Sequence, residues 1–221
     1  MKKECNKVTL LCLNCNEPKL GVKALQYSMQ KMIFKRVVFL AHEKPDNLTD
    51  DIEFIKIKKL TSPREVCEFA LREMHKDIDT DFCLTIHDDG FIINPHLWLD
   101  EFLEYDYIGA PWINGCVGNG GFTLISKLFF NICLKLMQEI PYHGENNDWH
   151  TCVTHRDYFI SKGCKFAPVD IAVKFSLESM IPEYEYDLNK CFGFHGRGES
   201  HIHDNKGQQF KDKIKLLDTI Q

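Results

Sequence analysis

Apolar residues along this chain follow two periods, and the pattern alternates between them through the first ninety residues. Residues 8–13 form a short apolar run suited to a buried strand, residues 14–18 interrupt it with Asn, Glu and Pro, and residues 20–33 take up helical spacing. A second strand is predicted at residues 36–41 and a third at 52–57, where Ile52, Phe54 or Ile55, and Ile57 supply the apolar members. Thr61 or Ser62 then caps a helix, with Pro63 and Glu65 in its first turn and Val66, Phe69, Ala70 and Met74 as its apolar stripe. Residues 82–86 make the next strand. Strands alternating with helices in this way predict an α/β fold with a mostly parallel central sheet flanked by helices.

Beyond residue 90 the elements shorten. A short helix is expected at residues 95–102, a strand at 105–109, a glycine-rich turn at 115–121 and a strand at 122–125 that runs into a helix over 126–140. A further helix is predicted at 148–162, a late strand at 172–177, a mobile polar stretch at 196–207 and a last helical stretch near 210–217. The chain shows no internal repeat and no linker.

Composition narrows the classes. A chain of 221 residues, 44% of them hydrophobic, is sized for one substantial core. The formal net charge of −5 leaves no basic footprint for nucleic acid or an anionic membrane. No apolar run reaches the roughly 18–20 residues of a membrane span, and the first residues lack the apolar stretch of a secretory signal, so a soluble protein is expected. Ten cysteines scattered through strand and helix patterns read as buried thiols of a reducing compartment. Cys12 and Cys15 are spaced C-x-x-C, but no second such pair completes a four-ligand zinc set.

Four places carry chemistry. The strand at 82–86 runs into His87, Asp88, Asp89 and Gly90, which aims two carboxylates at a strand end, where open α/β sheets bind ligands. Such oxygens suit Mg²⁺ or Mn²⁺, although Asp-Asp-Gly is equally good turn chemistry. Gly118, Asn119, Gly120 and Gly121 offer close backbone approach, positive φ and an amide side chain, or a plain hairpin. They are neither a P-loop nor a Rossmann fingerprint. Asp148 stands at the start of a predicted helix, as a cap or as a general base. His195 lies between aromatic residues and glycines, as packing or as a metal ligand; His201 and His203 in the tail read as solvated.

Five blocks in order join these places: His87-Asp88-Asp89-Gly90, then Tyr105-Asp106-Tyr107-Ile108-Gly109-Ala110-Pro111-Trp112, Gly118-Asn119-Gly120-Gly121-Phe122, Asn147-Asp148 and Phe192-Gly193-Phe194-His195. Over about residues 8–196 this set resembles GT-A-type glycosyltransferases, and more closely a small viral or uncharacterised glycosyltransferase-like family with YDYIGAPW, GNGG, ED and FGFH blocks. The resemblance implies a single GT-A-like (Rossmann-like) domain over 1–221, with a nucleotide-binding half at about 1–112, an acceptor and catalytic half at about 113–200, and a polar tail at 201–221. Within it, Asn14, Asn16, His87, Asp88 and Asp89 would meet the nucleotide of the donor. Asp89 and His195 would hold Mn²⁺ (or Mg²⁺), Trp112, Asn119, Gly120 and Gly121 would line the sugar or acceptor, and Asp148 would be the catalytic base. Two positions depart from the family pattern: His87 stands where the DxD motif has its leading acid or amide, and Asn147 stands for the Glu of the Glu-Asp pair.

The implied reaction moves a hexosyl or deoxyhexosyl group from a UDP-linked donor to a hydroxyl of a glycan or glycoprotein, with inversion, in the cytoplasm of a cell or of a virus-infected host. The chain could be one domain of a larger transferase. Two alternatives share these features: a nucleotidyltransferase, and a catalytically silent module that binds sugar nucleotides or carbohydrate.

Overall fold

The computed structural model describes residues 2–30, 32–198 and 207–220. Its main sheet has six strands in the order β3-β2-β1-β4-β6-β5. The strands are β1 (Lys3–Leu13), β2 (Met32–Ala41), β3 (Glu53–Lys56), β4 (Phe82–Ile86), β5 (Tyr107–Ile108) and β6 (Thr123–Ser126). β1 pairs in parallel with β2 and β4, and β2 with β3; β6 runs antiparallel to both β4 and β5. Val8, Leu10, Leu11 and Cys12 are fully buried because β1 is central and covered on both faces, the setting that produces a continuous apolar run. Alternation along β1 divides the core: Leu10 and Cys12 face one cluster, Leu11 the other.

Helices cover both faces. α1 (Pro18–Met29) contributes Val22 and Leu25 to the first cluster, whereas α2 (Pro63–Arg72) and α3 (Lys127–Glu139) contribute Cys67, Leu71, Phe129 and Cys133 to the second. The cap of α2 is Ser62, whose side chain accepts from Glu65 N at 3.2 Å. Glu65 Oε2 in turn accepts from Thr61 N at 2.7 Å, so both candidate residues take part in a reciprocal cap. Ser126 Oγ caps α3 by accepting from Phe129 N at 3.1 Å.

The structure corrects several expected elements. α1 ends at Met29, four residues early, because Met32, Ile33 and Phe34 are taken into β2 opposite Lys3, Glu4 and Cys5; the same pairing starts β1 at Lys3. Residues 95–102 give two 3₁₀ turns, Pro95–Leu97 and Asp100–Glu104, in place of one helix. The helix expected at 148–162 is broken into α4 (Asn147–Trp149), a π-helical turn (His150–Thr154) and α5 (Arg156–Ser161). The late strand at 172–177 is mostly a helix, α6 (Val169–Phe175), with Asp170 in its first turn and Ile171, Ala172 and Phe175 buried. An apolar run this short fits either period, and packing selected the helix. Only Ser176–Leu177 (β7) is extended, paired in parallel with Gly193–Phe194 (β8). α7 (Gly207–Ile214) follows, with a 3₁₀ turn at Lys215–Thr219. Most of the polar stretch at 196–207, with His201 and His203, lies outside the described residues.

β2 lies on one side of β1 and β4 on the other, so the topology switches direction at the carboxyl ends of β1 and β4. Open α/β sheets form their ligand crevice at such a point.

Candidate functional site

The ladder between β1 and β4 ends at Cys12 opposite Ile86, which places the residues after both strands side by side. His87 N donates to Gly90 O at 2.8 Å and Gly90 N to His87 O at 3.2 Å, closing a tight turn with Asp88 and Asp89 at its corner. The turn and the acidic site are therefore one object. Asn14 Nδ2 donates to Asp88 Oδ1 at 3.0 Å, while Asn14 Oδ1 accepts from Asn16 N and Glu17 N at 3.0 and 2.8 Å and so fixes the entry to α1. Arg197 Nη2 lies 2.5 Å from Asp88 Oδ2, and Arg197 Nε 3.4 Å from Asp89 Oδ2.

The pairing of β8 with β7 carries His195 to the same edge. His195 N donates to Leu177 O at 3.1 Å and Gly196 N to Asp89 O at 2.7 Å, so backbone bonds on both sides hold the imidazole at the acidic turn. His195 Nε2 is 3.9 Å from Asp89 Oδ1, and Nδ1 is 3.1 Å from Glu178 Oε1. Ligand atoms of His87, Asp89 and His195 all lie within 4.8 Å of one another, a possible metal-holding group. Burial, followed by the charge of His195, pulls the His87 imidazole below its ordinary value. Burial also depresses His195, but the hydrogen bond and charge of Glu178, helped by Asp89 and Asp148, outweigh it and leave its pKa raised.

The glycine-rich segment closes the site from the other side. Gly118, Gly120 and Gly121 do not adopt the positive φ expected of them; close packing is what they supply. A Cβ on Gly121 would sit 1.8 Å from the His195 ring, and one on Gly118 would meet Trp112 at 2.5 Å. Tyr107 OH donates to Gly118 O at 2.6 Å and braces this segment, while Asp106 accepts from Ser126 Oγ at 2.6 Å and Lys165 N at 2.8 Å and ties the end of β6 to the segment before α6. Asn119 is buried; its Nδ2 donates to Glu178 Oε2 and its Oδ1 accepts from Gly121 N at 3.3 Å.

Asp148 stands in the first turn of α4, after the N-cap residue Asn146. Its Oδ2 accepts from Gly120 N at 3.0 Å and its Oδ1 from Trp149 N at 2.7 Å. A carboxylate has about four acceptor positions, so two bonds leave capacity for a substrate hydroxyl. Burial raises the Asp148 carboxyl above the ordinary range, against the lowering by those two N–H groups. A cavity of about 400 Å³ gathers Asn16, His87, Gly120, Gly121, Asp148 and His195, and continues between apolar residues of α2 and α3. Trp112 is not among the residues lining it; the ring packs against Trp149, centroids 5.6 Å apart. Asn14, Asp88, Asp89 and Asn119 sit around the cavity residues through the bonds above.

Glu178 and Arg197 escaped the sequence reading. Glu178 follows the apolar stretch 172–177, the same arrangement of an acid after an apolar run that drew attention to Asp88 and Asp89. Arg197 offered only its place beside the Phe-Gly-Phe-His block. Cys12 and Cys15 are buried free thiols, and among the described residues neither belongs to a metal-holding group.

Residues 50–195 match the model of a family described as "Protein of unknown function (DUF5672)", a span that includes every site residue above except Asn14, Asn16 and Arg197. No protein of curated function matches the chain. Among solved structures, the apo form of glycosyltransferase GlyE from Streptococcus pneumoniae TIGR4 is similar at a TM-score of 0.54 and 10% identity, over 100% of this chain and 62% of GlyE. This chain thus spans less than two thirds of GlyE. An active-site mutant of LgtC is similar at a TM-score of 0.47 and 11% identity, over 92% of this chain and 94% of that one. A glycosyltransferase involved in glycosylation of the major capsid of PBCV-1 is similar at 0.43 and 12% identity, over 96% and 99% of the two chains. The likeness to GlyE shows a shared fold.

Proposed function

The chain belongs to the DUF5672 family of proteins of unknown function, and from its site we propose that it is a metal-dependent glycosyltransferase acting on a nucleotide sugar. The observation that carries this reading is the convergence of Asp148, His87, His195 and the Gly120-Gly121 backbone on one cavity at the strand ends, next to Asp88 and Asp89. The fold shared with GlyE supports it.

The donor set fits a divalent ion. Asp89 presents Oδ1 toward His195 Nε2 and Oδ2 toward Arg197, and the bond from His195 Nδ1 to Glu178 leaves Nε2 as the free ligand atom. One carboxylate with two imidazoles suits Mn²⁺ better than Mg²⁺. Asp89, His195 and His87 would hold the ion, which when bound offsets negative charge on the departing nucleoside diphosphate. Arg197 adds a cation on the outer side of the same acids. Asn14 and Asn16 face the nucleotide of a UDP-linked donor, and Gly120 and Gly121 border the transferred sugar. Asn119 acts behind them by orienting Glu178, and Trp112 with Trp149 forms an aromatic edge for the acceptor glycan. Asp148 takes the proton of the attacking hydroxyl as its oxygen bonds to the anomeric carbon and the bond to the diphosphate breaks on the opposite face, which inverts the centre.

One observation favours a second reading. Arg197 bonds both acids, so their charge is partly offset by the chain itself, as a module that binds sugar nucleotides without transfer would allow. Calorimetric titration of UDP and GDP with and without Mn²⁺, followed by donor turnover, separates the two. Asp89→Ala is expected to abolish Mn²⁺-dependent nucleotide binding, and Asp148→Asn to retain binding while losing transfer by about 10²-fold or more. Binding without turnover in the wild type selects the module. A folded protein that binds neither nucleotide ends both readings.

A further inference from the structure

A second histidine cluster lies outside the cavity. Ligand atoms of Glu145, His150 and His155 fall within 4.8 Å of one another, and the group shares no residue with the acidic turn. His150 is 1% exposed. Its Nδ1 lies 2.5 Å from Glu145 Oε1, while its buried Nε2 has no hydrogen-bond partner among the described residues. The His155 ring meets it edge to face, centroids 4.5 Å apart. Glu145 is held in turn, Oε2 accepting from Thr154 Oγ1 at 3.1 Å.

The backbone is bent to make this meeting. In a regular α-helix, residues five apart point about 140° away from each other. Here His155 N donates to His150 O at 3.0 Å, the i to i+5 bond of a π-turn, and the extra residue returns His155 to the side of His150. A single histidine–glutamate hydrogen bond would account for Nδ1. It does not account for the second imidazole beside it.

We propose that Glu145, His150 and His155 form a second metal site, of the zinc type, that pins the segment carrying Asp148. Two imidazoles and one carboxylate, with a fourth position left for water, are the ligand set of a three-ligand Zn²⁺ centre, and the imidazoles select against Mg²⁺ and Ca²⁺. Tetrahedral bonds of about 2.0–2.1 Å put ligand atoms roughly 3.4 Å apart, so on binding an ion the Glu145–His150 contact would open from 2.5 Å while the other ligand atoms, all within 4.8 Å, adjust by side-chain rotation. Asp148 lies between Glu145 and His150 in the chain, and an ion bridging the two would restrain the turn that presents it. This inference does not rest on the proposed transferase activity.

The test is titration of Zn²⁺, and of Co²⁺ as its spectroscopic substitute, into the metal-free full chain carrying Asp89→Ala, which disables the other donor group. One equivalent of zinc, a tetrahedral cobalt absorption spectrum and a zinc-dependent rise in Tm are expected. Adding His155→Ala or Glu145→Gln, both at less buried positions than His150, should weaken zinc roughly tenfold or more and remove the rise in Tm. His155→Ala alone, in the otherwise wild-type chain, should lose one equivalent. A folded Asp89→Ala protein that binds no zinc, or zinc binding unchanged by both ligand substitutions, overturns the site.

Discussion

The two histidine clusters are assembled on opposite plans. The one at the sheet edge draws His87 and Asp89 from the end of β4, Gly121 from the approach to β6, Glu178 from the end of β7 and His195 from the end of β8. Its precision comes from tertiary backbone bonds and from a glycine placed where no side chain fits. The other is contained within eleven consecutive residues, from Glu145 to His155, and owes its geometry to one extra residue in a helical turn. A site gathered from distant segments should therefore be sensitive to packing changes far along the chain, whereas the local one should respond only to its own turn.

The largest effect is expected at Gly121. In Gly121→Ala the new Cβ would lie 1.8 Å from the His195 ring, which two backbone bonds hold in place. Overpacking of this kind costs about 1–3 kcal/mol, and the displaced imidazole should take Mn²⁺-dependent nucleotide binding with it. A melting curve and a nucleotide titration check this; wild-type values in both would break the contrast between the clusters.

Glu178→Gln should act more selectively. It keeps an acceptor for His195 Nδ1 but removes the anion that holds the imidazole above its ordinary pKa against the opposing effect of burial. Because the folded value is raised, this histidine stabilises the fold fully below its unfolded pKa, and the contribution is lost as pH rises through the folded one. The substitution should lower the His195 pKa and flatten that part of the stability profile, as read by NMR titration of the ring and by melting at several pH values. An unmoved His195 titration would remove Glu178 from its positioning role.

Thr154→Ala is the mild probe of the local cluster. It deletes the hydroxyl that donates to Glu145 Oε2 at an exposed position, so stability should fall by about 0.5 kcal/mol or less. Nucleotide binding at the sheet edge should stay at the wild-type level. A matching loss of nucleotide affinity would mean that the clusters are coupled and the contrast too sharp.

How legible each region was in the sequence follows the same division. β1, β2 and β4 form long pairings at the centre of the sheet, and their apolar runs mark them even where α1 and β2 trade a few residues. The short elements are different: β5 on the antiparallel edge has two residues, and in the separate parallel pair β7 joins β8 by only two. Such elements have too few residues to display a period, which is why residues 172–175 read as strand and folded as helix. At the site, Asp88, Asp89, Asp148 and His195 stood out by type and position. Glu178, Arg197 and the π-turn did not, since each matters only through what lies next to it in space.

The alternation of strands and helices, a cap at Thr61 or Ser62 and the carboxylates at the end of β4 are all legible along the chain. These depend on neighbours within a few residues, where local sterics and hydrogen bonding act. Only long-range packing made β6 reverse direction, gave Gly118, Gly120 and Gly121 a packing role rather than positive φ, and brought Glu178 against Nδ1 of His195. Those outcomes depend on contacts between residues up to about a hundred positions apart, as between Asp89 and His195, and a local pattern carries no record of which distant surfaces will meet.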